Sequence, residues 1–248
     1  KEFMIENKQL NKKNISFIVL VGGLGSRIKH LYPDKPKPMI SINNKPFLYW
    51  LIKEISDLNF KYVIYASGYR SEQIEDWVSN NEFKNLNQKI VKEKKKLGTA
   101  GSIFNLIDQC KENLIILNGD SFLVGGIKKL LQSINENHST KLVCHYMKDT
   151  SRFGKIIFNQ KNQLINFFEK GKSGPGYINS GIYFFKKEKI IEYKTNGYVS
   201  LEHQLIPNMI KNNEKINIIK IKKPKFIDIG TEDSILESQK KIQKIFVQ

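Results

Sequence analysis

Apolar positions along the first half of the chain alternate between two rhythms. Residues 15–21 form a continuous β-branched and aromatic run, the pattern of a strand buried on both faces of a parallel sheet. Residues 46–59 then place Phe47, Leu48, Leu51, Ile52, Ile55 and Leu58 at helical spacing. Residues 62–66 read as the next strand, 71–78 as a helix with Ser71 at its N-cap, and 89–92 as a strand. Thr99 is placed to cap a helix over 102–110, with a strand over 114–117 and a helix over 127–134 behind it. This order predicts an α/β fold with a Rossmann-like, doubly wound, mostly parallel sheet. Its ligands are expected beyond the C-terminal ends of the strands, in the loops after Val21, Val91 and Leu117.

The second half changes rhythm. Residues 142–147, 155–158, 164–168 and 177–185 read as strands, 200–212 as a helix, 216–221 and 225–229 as strands, and 233–247 as a closing amphipathic helix. No Ser/Gly-rich linker and no internal repeat divides the chain. The expectation is a polar, mobile tail over 1–14 and one domain over 15–248, with a nucleotide-binding half to residue 140 and a small mixed-sheet lobe after it.

A chain of 248 residues with 40% hydrophobic and 11% aromatic positions is neither disordered nor collagen-like. The longest apolar run is strand-sized, which argues against membrane insertion. Two cysteines, Cys110 and Cys144, supply no disulfide framework and suit a reduced, cytoplasmic protein, in which they read as small buried hydrophobes. The net charge of +17 invites an anionic partner. Arginine, however, occurs at 27, 70 and 152 alone among the 41 basic residues, and lysine is spread along the whole chain. That bias reads as compositional and makes nucleic acid an unlikely partner.

The chemistry concentrates behind the first strand. Gly22, Gly23 and Gly25 let backbone amides approach an anionic ligand, Ser26 and Arg27 follow, and Lys37 stands between Pro36 and Pro38 in a segment expected to be extended. A guanidinium fork and a point charge behind such a bend would hold a polyphosphate. Two familiar phosphate loops fail here: GxGxxG begun at Gly23 would need glycine at Ile28, and a Walker A segment ending at Ser173 would need glycine at Asn166. His30, His138, His145 and His203 share no ligand spacing, and no GxSxG elbow is present.

In this region the sequence resembles the sugar-phosphate nucleotidylyltransferases, whose opening motif GGxGTRL and PKPM matches residues 19–39, with Ser26 for Thr and Ile28 for Leu. Six further stretches follow in family order. Leu97-Gly98-Thr99-Ala100-Gly101 is similar to the base- and ribose-contacting loop, although Lys96 replaces the usual proline. Asn118-Gly119-Asp120 is similar to the metal-binding motif, and Arg152-Phe153-Gly154 and Glu169-Lys170 to sugar-side contacts. Residues 177–183 and 226–231 complete the set.

The resemblance implies a glycosyltransferase-A-like fold and a reaction joining a nucleoside triphosphate to a sugar 1-phosphate with Mg²⁺. It implies Arg27, Lys37, Asp120 and Lys170 as catalytic, and Asp120 with Asp228 as metal ligands. Gly22, Gly23, Gly25, Ser26, Glu93, Gly98, Thr99, Ala100 and Gly119 fall on the nucleotide side, and Gly154, Glu169, Lys170, Asn179 and Gly181 on the sugar side.

Physical chemistry fits several of these. A carboxylate ending a buried strand, as Asp120 does, needs a cation or donors facing it, and Mg²⁺ takes few carboxylates plus phosphate oxygens. Glu93 only accepts hydrogen bonds, which suits the paired donors of guanine and favours GTP, though in a lysine run it also reads as a solvated charge. The short guanylyltransferases acting on mannose- or heptose-type 1-phosphates, in surface polysaccharide synthesis, are the most similar subgroup. A cytidylyl- or uridylyltransferase on another phosphorylated substrate, a silent nucleotide-sugar-binding regulator and a nucleic-acid-binding module are the alternatives, and a homo-oligomer stays open.

Overall fold

The computed structural model describes residues 11–23, 25–134, 139–167 and 174–246. Its first half contains β1 (Ile15–Leu20), the short pair β2 (Ser41–Ile42) and β3 (Lys45–Pro46), α1 (Phe47–Asp57), β4 (Tyr62–Ser67), α2 (Ser71–Asn80), β5 (Asn87–Lys92), α3 (Gly98–Leu106) and β6 (Asn113–Asn118). There follow β7 (Ser121–Leu123), α4 (Gly126–Ser133), β8 (Lys141–Met147), β9 (Ile156–Phe158), β10 (Leu164–Phe167), β11 (Gly176–Lys186) and α5 (Lys187–Glu192). The chain continues through α6 (Ile206–Lys211), β12 (Asn217–Ile221), β13 (Phe226–Asp228) and α7 (Glu232–Phe246).

Seven strands share one sheet in the order β12-β8-β11-β6-β1-β4-β5. β1, β4, β5 and β6 are mutually parallel, as crossover helices require, while β11 runs antiparallel to both β6 and β8. The chain steps outward from β1 to β4 to β5 and then returns to lay β6 on the other side of β1. That reversal opens a crevice at the C-terminal ends of β1 and β6, where open α/β sheets bind their ligands. The second half builds onto the same sheet through β8, β11 and β12 and adds the small antiparallel pairs β9–β10 and β7–β13.

Both sheet faces are covered. On β1, Phe17 and Val19 join the apolar cluster with Phe47, Ile52 and Ile235, while Ile18 joins the opposite cluster with Ile103, Phe104 and Ile206. An unbroken hydrophobic run in the sequence is the consequence, since each face of the strand packs against helices. Among the described residues no helix is long and apolar enough to cross a membrane.

Several local expectations change. Ser71 is the first helical residue rather than the cap; Arg70 precedes it in left-handed backbone, and the Ser71 hydroxyl turns to Glu75. α3 begins at Gly98 and contains Thr99, because the Ala100 and Gly101 amides donate to Val199 O at 2.9 and 3.1 Å from across the fold. Lys37 opens a 3-10 turn instead of an extended segment, with Ile40 N–H closing on its carbonyl. The helix expected over 200–212 is a π turn, Leu201–Leu205, followed by α6. Pro207 lacks the N–H that a regular helix would use, and Ile206 N–H reaches back to Leu201 O.

Glu54 on α1 is an unusual core neighbour. Its Oε1 accepts from Gly125 N–H at 2.9 Å, its Oε2 is buried without a hydrogen-bond partner, and burial pushes its pKa from 4.5 up to about 7. The folded chain therefore binds more protons than the unfolded chain between these two values, and the stability contributed below the lower one is lost as pH rises through the upper one. Glu54→Gln is expected to flatten the decline in melting temperature between about pH 5 and 8; parallel profiles for the two proteins would refute this account.

Candidate active site

The crevice at the sheet reversal widens into a cavity of about 500 Å³. Its walls come from the loops after β1, β4, β5 and β6 and from residues 198–202. Close backbone approach shapes it. Val21 N–H donates to Ala66 O at 3.0 Å, bringing Gly22 against Gly68; a Cβ on Gly22 would meet Gly68 N at 3.2 Å. Gly119 N–H donates to Leu20 O at 3.0 Å, and a Cβ there would meet that oxygen at 2.6 Å.

Gly22, Gly23, Glu93, Gly98, Thr99, Gly119 and Asp120 all line this cavity. Gly25 is left-handed, with φ +58°, and starts the turn closed by Ile28 N–H to Gly25 O at 3.0 Å, which leaves Ser26 and Arg27 exposed on its outer side. Ala100 is fully buried and stays behind the wall. Gly181, with φ +71°, packs against Asn118, a wall residue, and its N–H donates to Asn179 Oδ1 at 2.9 Å. Gly154 lies half-buried between the turn at 150–153 and β9. Glu169 and Lys170 lie outside the described residues.

Asp120 lines the cavity, and a second carboxylate, Asp228, lies on the strand paired beside it. β7 pairs antiparallel with β13 so that Asp228 stands opposite Ser121, and Ile229 N–H donates to Asp120 O at 3.2 Å. Lys37 Nζ, nearly buried, lies 2.6 Å from Asp120 Oδ2, and Arg152 Nη2 lies 2.7 Å from Asp228 Oδ2, which also accepts Gly230 N–H at 3.0 Å. The Oδ1 atom of each carboxylate accepts no hydrogen bond from a described residue. Arg27 points to the same place: its Nη2 would lie 3.7 Å from a Cβ on Gly230.

The opposite wall is also acidic. Burial raises the pKa of Glu93, and its hydrogen bonds with the Ser102 hydroxyl and the Leu97 N–H oppose that rise. Glu202, which belongs to no motif and falls within the stretch expected as a helix over 200–212, lines the cavity with both oxygens engaged. Tyr183 O–H donates to its Oε1 at 2.7 Å and Thr99 O–H to its Oε2 at 3.2 Å, while Leu201 N–H donates to Thr99 Oγ1 at 2.7 Å. Asn179 Nδ2 donates to the Tyr183 oxygen at 2.5 Å, so a single hydrogen-bond chain joins the Thr99 loop to β11. Tyr198, exposed at the cavity mouth with Lys96 Nζ 5.4 Å above its ring, was likewise not singled out.

A doubly wound sheet that opens on a glycine-lined crevice, with a carboxylate in its wall and paired basic side chains beside it, is an arrangement suited to an anionic ligand. The chain belongs to the Nucleotidyl transferase family, whose model matches residues 16–245. It is 34% identical over 216 residues to the D-glycero-alpha-D-manno-heptose 1-phosphate guanylyltransferase of Campylobacter jejuni, covering 87% of this chain and 95% of that protein. The protein of the same description from Aneurinibacillus thermoaerophilus is 30% identical over 228 residues, covering 91% and 97%. HddC from Yersinia pseudotuberculosis, solved in complex with GMP-PN, superposes with a TM-score of 0.82 at 29% identity over 92% of this chain and 99% of that one.

Gly98 supplies a direct test of the cavity's construction. It sits at φ +75°, and a Cβ there would fall 2.5 Å from Val199 O. Gly98→Ala is expected to cost about 1–3 kcal/mol in urea unfolding, through backbone strain and separation of the two loops. Wild-type stability in the variant would show that this contact does not constrain the wall.

Proposed function

We propose that this chain joins GTP to a manno-type heptose 1-phosphate, giving a GDP-sugar and pyrophosphate, in the cytoplasm and for surface polysaccharide synthesis. The observation that carries the reading is the glycine-lined crevice with Asp120 in its wall, Lys37 paired to that carboxylate, and Asp228, Arg152 and Arg27 gathered at Gly230 on the neighbouring segment. An oxygen of the sugar 1-phosphate attacks the α-phosphorus in line, the bond to the bridging oxygen breaks, and pyrophosphate carries away the electron pair. Both reactants are anions, so the protein contributes alignment and charge neutralisation rather than a nucleophile.

Amides of the Gly22–Gly25 bend and Arg27 hold the β- and γ-phosphates in this reading, and Lys37 faces the phosphates from the Asp120 side. Glu93 accepts from the guanine edge, and Gly154, Asn179, Gly181, Glu169 and Lys170 serve the sugar and its phosphate. The guanine choice is supported by the position of Glu93 on the cavity wall and by the names of the relatives.

The donor set fits Mg²⁺, a hard cation bound by one or two carboxylates plus phosphate oxygens: Asp120 and Asp228 are neighbours, and each keeps its Oδ1 uncommitted among the described residues. When bound there, the ion supplies charge neutralisation at the reacting phosphates.

The reading is tested by a pyrophosphate-release screen crossing GTP, ATP, CTP and UTP with heptose, mannose and glucose 1-phosphates. Turnover is expected with GTP and the manno-type sugars; preference for CTP or UTP would reassign the base, and silence with every pair would remove the activity. Arg27→Ala should lower kcat by about 10²–10³ through loss of a transition-state charge partner. Arg27 is exposed and forms no ion pair with a described residue, so the melting temperature should hold. Glu93→Gln, which exchanges one acceptor for a donor, should raise KM for GTP more than it lowers kcat.

A further inference from the structure

We propose that Arg152 works with Arg27 as a second phosphate-gripping guanidinium, restrained on Asp228 until a metal ion takes that carboxylate. This rests on the nucleotidyltransferase reading and deepens it by tying metal binding to phosphate binding through one side chain.

The placement of Arg152 is built rather than incidental. A turn closed by Phe153 N–H to Thr150 O at 2.9 Å presents it, and its guanidinium carbon lies 5.1 Å from the centre of the Phe153 ring. That ring packs edge-on against Phe226 at 5.9 Å, on the same strand β13 that carries Asp228. Gly230 makes room for the cluster: a Cβ there would lie 3.0 Å from Asp228 Oδ2, 3.5 Å from Arg152 Nη2 and 3.7 Å from Arg27 Nη2.

Charge then decides the function. Arg152 is paired with Asp228 and Lys37 with Asp120, while the Arg27 guanidinium reaches the same glycine without an ion pair to a described residue, so the cluster carries a surplus positive charge suited to a phosphate. Arg152 donates to Asp228 from Nη2, which leaves most of its five donors for phosphate oxygens. A divalent cation held by Asp228 would draw on the charge of the carboxylate that restrains the guanidinium, so the grip on Nη2 would weaken, freeing Arg152 to turn toward the anion. A plain structural ion pair would instead steady β13 and leave ligand binding alone.

The two roles predict changes of opposite sign. Wild type, Arg152→Gln and Arg152→Lys are titrated with Mn²⁺ alone, followed by electron paramagnetic resonance, and by calorimetry with pyrophosphate in Mg²⁺ and separately with mannose 1-phosphate. Arg152→Gln should bind Mn²⁺ about threefold or more tightly and a phosphate ligand about tenfold more weakly, with Arg152→Lys between it and wild type. Weakening with pyrophosphate assigns the grip to the triphosphate side, and weakening with mannose 1-phosphate alone assigns it to the acceptor. Unchanged phosphate affinities, or parallel losses for metal and phosphate, would overturn the inference while leaving the activity standing. A wild-type protein that binds neither Mn²⁺ nor pyrophosphate would remove the functional reading together with it.

Discussion

Two carboxylates set side by side at the end of a sheet repel each other unless cations stand between or beside them, and much of the molecule is arranged around that requirement. The β7–β13 pairing brings the backbones that carry Asp120 and Asp228 side by side, and Lys37 pairs with the first carboxylate and Arg152 with the second. Lys37 reaches its partner from a 3-10 turn buried beneath the Gly25 bend, where its aliphatic stem would lie 3.5 Å from a Cβ on that glycine. The absence of a side chain at Gly25 thus leaves room for the stem that carries a cation to Asp120.

The loops on the far side of the cavity are locked by different means. Val199 N–H donates to Leu97 O at 2.8 Å, and the Ala100 and Gly101 amides return to Val199 O, so the first turn of α3 is satisfied by a segment a hundred residues away in sequence. Through Thr99, Glu202, Tyr183 and Asn179 this interlock continues into β11, where Gly181 bends the strand against Asn118. The nucleotide-side loop and the strand expected to meet the sugar are therefore parts of one hydrogen-bonded unit. Burial, reinforced by Glu202, raises the Tyr183 pKa well above its ordinary value, which keeps its phenol protonated as a donor.

Charge composition and charge function separate cleanly in this chain. Its excess of lysine lies along the surface, whereas two of its three arginines meet at Gly230 and the third, Arg70, pairs with Asp34 at 3.0 Å. The guanidinium's planar fork suits recognition of phosphate and carboxylate, and lysine's hydrated ammonium suits a solvated face. The net charge of +17 therefore says less about the site than the addresses of three residues.

Much of the fold was legible because it depends on periodicity. The unbroken run of β1 announced a strand covered on both faces, the strand–helix alternation announced the crossovers, and together they pointed to the loops that line the crevice. Gly22, Gly23, Glu93, Gly98, Thr99, Gly119 and Asp120 could be found from local pattern and family motif. The sequence alone could not place β11 antiparallel within a parallel sheet, start α3 at Gly98, set Glu202 against Thr99 and Tyr183, or bring Arg152 onto Asp228. Each of those depends on partners 19 to 103 positions distant in the chain, and long-range pairing is fixed by which surfaces remain to be buried and which polar groups remain to be satisfied once the whole chain has folded.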